Sequence, residues 1–191
     1  MGKWSLVTTL LSYPACSSWA KGIRASIRTT ASRQLSMNER PDNPSVIVFP
    51  PLPFAGTLIV GLLLHRLMPH PILPRSLAWS LGMLLIIASA LIARSAQAAM
   101  RKAGTNVNPY KPSVAIVTEG PFRFSRNPLY LSLLEMYLGI TFLFNALWPL
   151  LLVVPLLIVT HYGIIRREER YLEAKFGEPY RIYKARVRRW I

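Results

Sequence analysis

The sequence predicts an all-α integral membrane protein with about four transmembrane helices and a helical C-terminal tail on the cytoplasmic side. Hydrophobic residues make up 52% of the chain and charged residues only 16%, outside the usual range of soluble domains. The net charge of +15 comes from Lys and Arg beside apolar runs. This pattern is typical of an anionic lipid surface. It argues against a nucleic-acid partner.

Residues 1–40 differ in composition from the rest, and we assign the membrane domain to residues 41–191. The stretch 1–36 has no acidic residue and is rich in Ser, Thr and Arg from Lys21 onward. It is either a targeting segment of the transit-peptide type or a poorly ordered extension preceding a true start at Met37. The composition favours the second interpretation.

Two apolar stretches open the membrane domain. Prolines disfavour helix at the residue before them, so the first helix is predicted from near Pro53 to about Leu67. The second is predicted over residues 76–93, "SLAWSLGMLLIIASALIA". Each approaches the ~20 residues that cross the hydrocarbon core.

The next two apolar stretches are predicted to form a tight hairpin. They run from Pro128 to about Phe144 and over residues 146–165. Asn145 alone separates them, too short a link for anything but adjacent antiparallel helices.

The tail is predicted to contain two further helices. The segment "RREERYLEAKFG" continues the fourth stretch, and Gly177 suits a left-handed C-terminal cap. Pro179 then fits the first turn of a second helix, "EPYRIYKARVRRWI". That helix is basic and aromatic, and we expect it to lie along the lipid headgroups.

The distribution of Lys and Arg predicts the orientation. These residues are concentrated in the loop 98–127 and in the tail after residue 165. Cytoplasmic segments carry such an excess. Both segments should therefore be cytoplasmic, on one face of a bacterial inner membrane.

The motif "RNPLY", Arg126 to Tyr130, lies where the loop enters the third helix. Asn127 can cap a helix entered through Pro128, which leaves free amide groups at the membrane surface. Arg126 can bind a carboxylate bidentately. The alternative is an interfacial anchor in front of a capped helix.

An acidic pair, Glu168 and Glu169, follows the fourth apolar stretch. Adjacent residues on a helix point about 100° apart, so at most one is expected to face any given pocket. Such a carboxylate suits a cationic or hydroxyl-rich ligand. The alternative is intrahelical pairing with Arg166 or Arg170.

Two ionisable residues lie within the apolar stretches. Glu135 is about two turns into the third, where a carboxylate is costly and is a functional candidate by default. It is expected to pair with Arg94 or to be protonated. His161, in the fourth stretch, either bonds to a neighbouring helix or lines a pocket. The sequence offers no nucleophile–base pair and no metal-ligand spacing, and Cys16 excludes an internal disulfide.

The segments "GTNVNP", "TEGPFRFSRNPLYL" and "HYGIIRREERYLEAKFGEPYRIYKARVRRWI" together resemble the isoprenylcysteine carboxyl methyltransferase family and its bacterial relatives. The resemblance covers residues 104–191. It implies S-adenosylmethionine bound between the loop and the tail, with a lipophilic or lipidated acceptor entering from the bilayer. The cofactor-binding residues it implies are Arg126, Asn127, Pro128, Tyr130, Glu168, Glu169, Tyr180 and Arg188.

The expected activity is methylation of a lipophilic acceptor, with a carboxylate favoured. A carboxylate is already ionised at neutral pH and needs no general base, in keeping with the residues present. The catalytic candidates are Arg126, Glu135 and His161. The alternatives are a lipid-amine N-methyltransferase, for which Glu135 or His161 would act as a base, and an NADPH-dependent membrane reductase. The sequence leaves the oligomeric state open.

Overall fold

The computed structural model describes residues 49–105 and 113–190. Within these ranges every regular element is helical, which confirms the predicted all-α class. The predictions for residues 1–40 lie outside the described residues. The α-helices are α1 (Pro51–Leu67), α2 (Arg75–Lys102), α3 (Pro128–Leu143), α4 (Leu147–Thr160), α5 (Arg166–Phe176) and α6 (Glu178–Arg186), with a 3₁₀ turn at Gly120–Arg123 and a π turn at His161–Ile165.

Helix α2 departs furthest from its prediction, because it continues past residue 93 to Lys102. The added segment, residues 94–102, consists of Ala, Arg, Ser, Gln, Met and Lys, most of which are strong helix formers. It contains no Gly or Pro, and the chain leaves the helix just before Gly104, whose φ is +67°. The apolar run is therefore shorter than the helix that carries it.

Within residues 49–105 and 113–190, two helical segments are long and apolar enough to cross a membrane. They are Arg75–Lys102 and the continuous Leu147–Phe176, whose most apolar windows have mean hydropathies of 2.1 and 2.0. Only 17% and 28% of the residues in these windows are buried. A soluble protein would not expose such continuous apolar surface to water, so these faces are suited to lipid.

Helices α2 and α3 pack closely where two glycines meet. A Cβ on Gly82 would lie 2.8 Å from the carbonyl oxygen of Gly139, and one on Gly139 would lie 2.7 Å from Ile86. Small residues at such a crossing let two backbones approach closely. Two helical turns from this glycine contact, the Ser89 hydroxyl donates to the Ser132 carbonyl over 2.7 Å. This pairing fixes the position of α3 and of the loop that enters it.

Helix α4 packs against α1 and α3 in a similar way. A Cβ on Gly61 would lie 2.7 Å from Cα of Pro149. The buried Tyr137 hydroxyl donates to the Pro149 carbonyl over 2.7 Å. These contacts hold the start of α4 against both α1 and α3.

The residues that join α3 to α4 are held by one side chain. Asn145 has a φ of +50°, which asparagine tolerates better than most residues. Its Oδ1 accepts from the amides of Ile72 and Leu73 at 2.9 and 3.0 Å, and its Nδ2 donates to the Leu73 carbonyl at 2.7 Å. The turn is thereby tied to the loop between α1 and α2.

Helix α4 continues into α5 through the π turn at His161–Ile165. A π turn bonds i to i+5 and often occurs at functional sites. Here it comes between the apolar part of the helix and the acidic pair of α5. It therefore sets the direction in which α5 presents its carboxylates.

Candidate functional site

The loop before α3 and the tail after α4 meet through backbone atoms. The Arg126 amide donates to the Arg188 carbonyl over 3.0 Å, and the Asn127 side-chain amide donates to the Arg189 carbonyl over 3.0 Å. In addition, the Tyr183 hydroxyl donates to the Phe122 carbonyl over 2.8 Å. These bonds assemble a site from residues about sixty positions apart in sequence.

The meeting of loop and tail encloses a cavity of about 80 Å³. Its apolar walls come from Met100, Ile116, Val117, Phe122 and Leu172, on the end of α2, the loop and α5. Its polar walls are Thr105, Ser113, Arg126, Asn127, Glu168, Glu169, Tyr180 and Tyr183. Five of these residues, Arg126, Asn127, Glu168, Glu169 and Tyr180, were predicted to bind the cofactor, whereas the predicted Pro128 and Tyr130 are not part of the lining.

Arg126 is the least satisfied polar group of this cavity. Its side chain is 9% exposed, and its Nη1 lies 3.1 Å from Oε1 of Glu169. Neither Nε nor Nη1 has a hydrogen-bond partner among the described residues, so the contact with Glu169 is ionic without a directed N–H bond. A buried guanidinium with unused donors is costly. It is suited to an anionic ligand group.

Glu169 is the centre of the ionic network. Its side chain is 7% exposed and receives two hydrogen bonds from Arg189, Nε to Oε1 at 3.0 Å and Nη2 to Oε2 at 2.7 Å. The bond to Glu169 holds the pKa of Arg189 above its ordinary value. With Arg126, two guanidinium groups share this one carboxylate.

Both acidic residues line the cavity, so the expectation that at most one would face it is wrong. The Tyr130 hydroxyl donates to Oε2 of Glu168 over 2.9 Å, while Arg189 holds Glu169. The two side chains diverge as helical geometry requires, but the cavity is wide enough to contact both. Glu168 thus pairs with a tyrosine of α3 and not with an arginine of its own helix.

Asn127 occupies the N-cap position of α3 but makes no side-chain capping bond. The predicted cap is therefore wrong, because the side-chain amide donates to the Arg189 carbonyl instead. Pro128 is fully buried at the first position of the helix, where its missing N–H costs nothing.

Two tyrosines of α6 close the cavity. Tyr180 and Tyr183 are buried, and they lie three residues apart on one helical face. Burial raises the pKa of Tyr183 to about 12 and raises that of Tyr180 as well, so both hydroxyls stay protonated at neutral pH. The Arg188 side chain is exposed and does not line the cavity; its backbone carbonyl contributes instead, by accepting from the Arg126 amide.

Glu135 lies apart from this cavity. Its Oε2 is buried and has no hydrogen-bond partner among the described residues. Among the described residues no ion pair joins Glu135 to Arg94, so the predicted pairing is not observed. Two helical turns of α3 separate it from the mouth of the cavity, which explains why the structure does not bring it to the other candidates.

His161 lies on the other side of Arg189. Its Nε2 is 3.3 Å from Nη1 of Arg189, and its ring packs edge-on against Tyr162 with centroids 4.9 Å apart. It does not line the polar cavity, but it does line a separate apolar groove between α3 and α4. Arg189 therefore contacts both regions.

Sequence reasoning missed Arg189 and Tyr183. The spacing of Tyr180 and Tyr183 was a usable signal, because residues i and i+3 share a helical face. Nothing in the run of basic residues distinguishes Arg189 from Arg188. Among the described residues, no three His, Cys, Asp or Glu side chains are close enough to hold a metal ion.

Comparisons with known proteins place this architecture in a family. A 64-residue segment, 33% of the chain, is 47% identical to an uncharacterised protein of Haemophilus influenzae and covers that protein's whole length. No solved structure matches the chain.

The family model for phospholipid methyltransferase matches residues 77–179, more than half of the sequence. This broader grouping agrees with the resemblance of the loop and tail segments, and the two apolar helices agree with a membrane enzyme. The chain therefore belongs to the phospholipid methyltransferase family.

Proposed function

We propose that the protein is an S-adenosylmethionine-dependent methyltransferase that acts at the membrane on a lipophilic acceptor, with a carboxylate as the favoured acceptor group. The family membership supports the methyltransferase class. The observation that carries the cofactor assignment is Arg126, whose buried guanidinium has two nitrogens without a partner among the described residues, in a cavity that two carboxylates also line.

The residues of the cavity fit the amino-acid end of this cofactor. That end carries a carboxylate and an ammonium group close together. Arg126 offers donors to the carboxylate, and Glu168 offers an acceptor to the ammonium or to a hydroxyl. The enclosed volume of about 80 Å³ suits this polar end and not a whole nucleoside. Binding of the complete cofactor therefore requires the cavity to widen.

When bound, the cofactor would supply a sulfonium methyl group for in-line transfer to an acceptor oxygen, with the electron pair of the broken C–S bond left on sulfur. The chain has to align the acceptor and exclude water. Tyr180 and Tyr183 cover the cavity from α6, and Tyr130 fixes Glu168. An ionised carboxylate acceptor requires no proton transfer from any of these residues.

The membrane arrangement we propose has α1 to α4 as four transmembrane helices, with α3 and α4 as a hairpin. The loop 98–127 and the tail then lie on the cytoplasmic face of a bacterial inner membrane. The concentration of Lys and Arg in these two segments supports this orientation. The cavity opens at the level of the headgroups in this arrangement.

A second candidate function is N-methylation of a lipid amine, which the description of the matched family favours. An amine must lose a proton before it attacks, so a base within reach of the acceptor would be required. His161 is the described residue best placed for this role, because it lies in the apolar groove beside the cavity.

The test is calorimetric titration of the detergent-purified protein with S-adenosylhomocysteine and, separately, with NADPH. We expect saturable binding of S-adenosylhomocysteine alone. Arg126→Ala should weaken that binding about ten- to hundredfold, since charge-assisted hydrogen bonds contribute about 1.5–3 kcal/mol. Arg167→Ala removes an exposed arginine and is the matched control. Equal affinity of wild type and Arg126→Ala would contradict the assignment, and binding of NADPH instead would place the protein with the reductases.

A further inference from the structure

An apolar groove lies between α3 and α4, separate from the polar cavity. Its apolar lining consists of Leu131, Leu134, Leu157, Ile158, Tyr162 and Trp190. His161 is the one polar residue among those that line it, and it begins the π turn. The groove is thus a hydrocarbon-like surface with a single polar end.

That polar end is cationic. Nη1 of Arg189 is 3.3 Å from Nε2 of the groove residue His161, and the Arg189 side chain is 30% exposed, so a head group beside His161 lies near this guanidinium. A second guanidinium, that of Arg166, lies 5.3 Å from the ring centroid of Tyr162. Glu169, the carboxylate that Arg189 contacts, is already bonded to Arg189 and in contact with Arg126.

The same guanidinium connects the groove to the cavity. Nε and Nη2 of Arg189 bond to Glu169, which lines the cavity, while Nη1 faces His161, which lines the groove. The next residue, Trp190, packs against Tyr130 and Ile164 and forms part of the groove wall. Arg189 and Trp190 therefore lie where the two regions adjoin.

We propose that the groove holds the hydrocarbon chain of the methyl acceptor and that Arg189 selects an acceptor with an anionic head. This inference rests on the proposed function and adds the residue that determines its specificity. A long-chain carboxylate gains a charge-assisted bond from Nη1. A long-chain ammonium meets like charge from Arg189 and Arg166, and Glu169 beside Arg189 is already paired. Arg189 is a positioning residue in this role, since it aligns the head group without exchanging a proton.

The experiment measures quenching of Trp190 fluorescence by a brominated 16-carbon carboxylic acid and by the brominated alkylamine of equal length. The purified full-length protein is used in detergent, and Trp190→Phe identifies the part of the signal that comes from the groove. We expect the acid to reach half-quenching at a concentration about tenfold lower than the amine. Arg189→Gln should reduce this ratio to near one, whereas Arg189→Lys should retain most of it.

Arg186→Gln removes an equal charge from an exposed position of the same tail and should leave the ratio unchanged. Three results would overturn the proposal: an undiminished ratio in Arg189→Gln, a preference for the amine, or quenching that Trp190→Phe does not change. Titration of the same sample with S-adenosylhomocysteine separates the two hypotheses. Absent cofactor binding with an intact acid preference removes only the proposed function, and the converse removes only the role of Arg189.

Discussion

The two ends of helix α3 each carry an asparagine, and the two side chains differ in how fully they are used. Asn145, after the helix, has both amide atoms bonded to the loop between α1 and α2. Asn127, before the helix, makes one side-chain bond, to the Arg189 carbonyl, and two nitrogens of its neighbour Arg126 have no hydrogen-bond partner among the described residues. Satisfied buried polar groups hold a fold together. Unsatisfied ones require an explanation, and for Arg126 the proposed cofactor supplies it.

The largest effect is expected at the Arg126 end, from Glu169→Ala. This change leaves the buried Arg126 and the partly exposed Arg189 without their shared carboxylate, and breaking a buried pair costs about 3–5 kcal/mol. We expect that loss of stability together with loss of S-adenosylhomocysteine binding, measured by SDS-induced unfolding in mixed micelles and by calorimetry. Glu173→Ala, in the same helix, removes a partly exposed carboxylate and should cost at most about 1 kcal/mol. Equal losses in the two variants would contradict the ionic network.

A smaller effect is expected at the other end, from Asn145→Ala. Three hydrogen bonds are lost and two half-buried amides lose their acceptor, so the free energy of unfolding should fall by about 2–3 kcal/mol. Affinity for S-adenosylhomocysteine should stay unchanged. Asn145→Gly permits the φ of +50° and so separates lost bonds from backbone strain. Reduced cofactor affinity in either variant would break the contrast between the two ends.

Asn127→Ala should give the reverse pattern. Only one hydrogen bond is lost, which corresponds to about 1 kcal/mol of stability. Because that bond places the Arg189 backbone beside the cavity, we expect about tenfold weaker binding of S-adenosylhomocysteine. Calorimetry and unfolding on the same preparation test both values. If Asn127→Ala lowered stability more than Asn145→Ala and left binding intact, the roles of the two asparagines would be exchanged.

The smallest effect is expected for Glu119→Gln, near the cavity but on its outer surface. Glu119 and Lys102 form an ion pair, with Nζ of Lys102 2.8 Å from Oε2 of Glu119, and both side chains are exposed. That ion pair lowers the pKa of Glu119, so any stabilisation is present above the ordinary carboxyl pKa and is lost as the pH falls through the lowered one. Solvent and salt screen such pairs, so unfolding and cofactor binding should be unchanged at neutral pH. A clear loss of binding would show that the candidate site also includes the exposed Lys102–Glu119 pair.

The ends of the helices were predicted well where a proline or a glycine lies at the boundary. Proline and glycine marked the starts of α1, α3 and α6 and the end of α5 at Gly177, whose φ is +61°. The length of α2 was underestimated, because hydropathy detects the part of a helix suited to lipid and not its polar extension to Lys102. Periodicity also gave no sign of the π turn at His161–Ile165, which depends on the packing of α4 and α5.

Part of the lining of the candidate cavity was predictable from the sequence, but the hydrogen bonds within it were not. Arg126, Asn127, Glu168, Glu169 and Tyr180 do line one cavity. Which groups pair was not predictable, since it depends on tertiary contacts such as the bond from the Arg126 amide to the tail. That bond fixes the register of the tail, so that Arg189, and not the adjacent basic residue, reaches Glu169.

The π turn at His161–Ile165 has a consequence for how this helix tolerates changes in length. A π turn holds about one residue more than an α turn, as if a single amino acid had been inserted into a regular helix. Deleting one residue within the turn would restore continuous α-helix and leave the residues after it facing almost as before, whereas deleting one residue from the regular part of α4 would rotate them by about 100°. In the second case Glu168 and Glu169 would turn away from the cavity even though every residue that lines it was still present. The number of residues in the regular part of this helix therefore matters to the candidate site as much as the identity of its side chains.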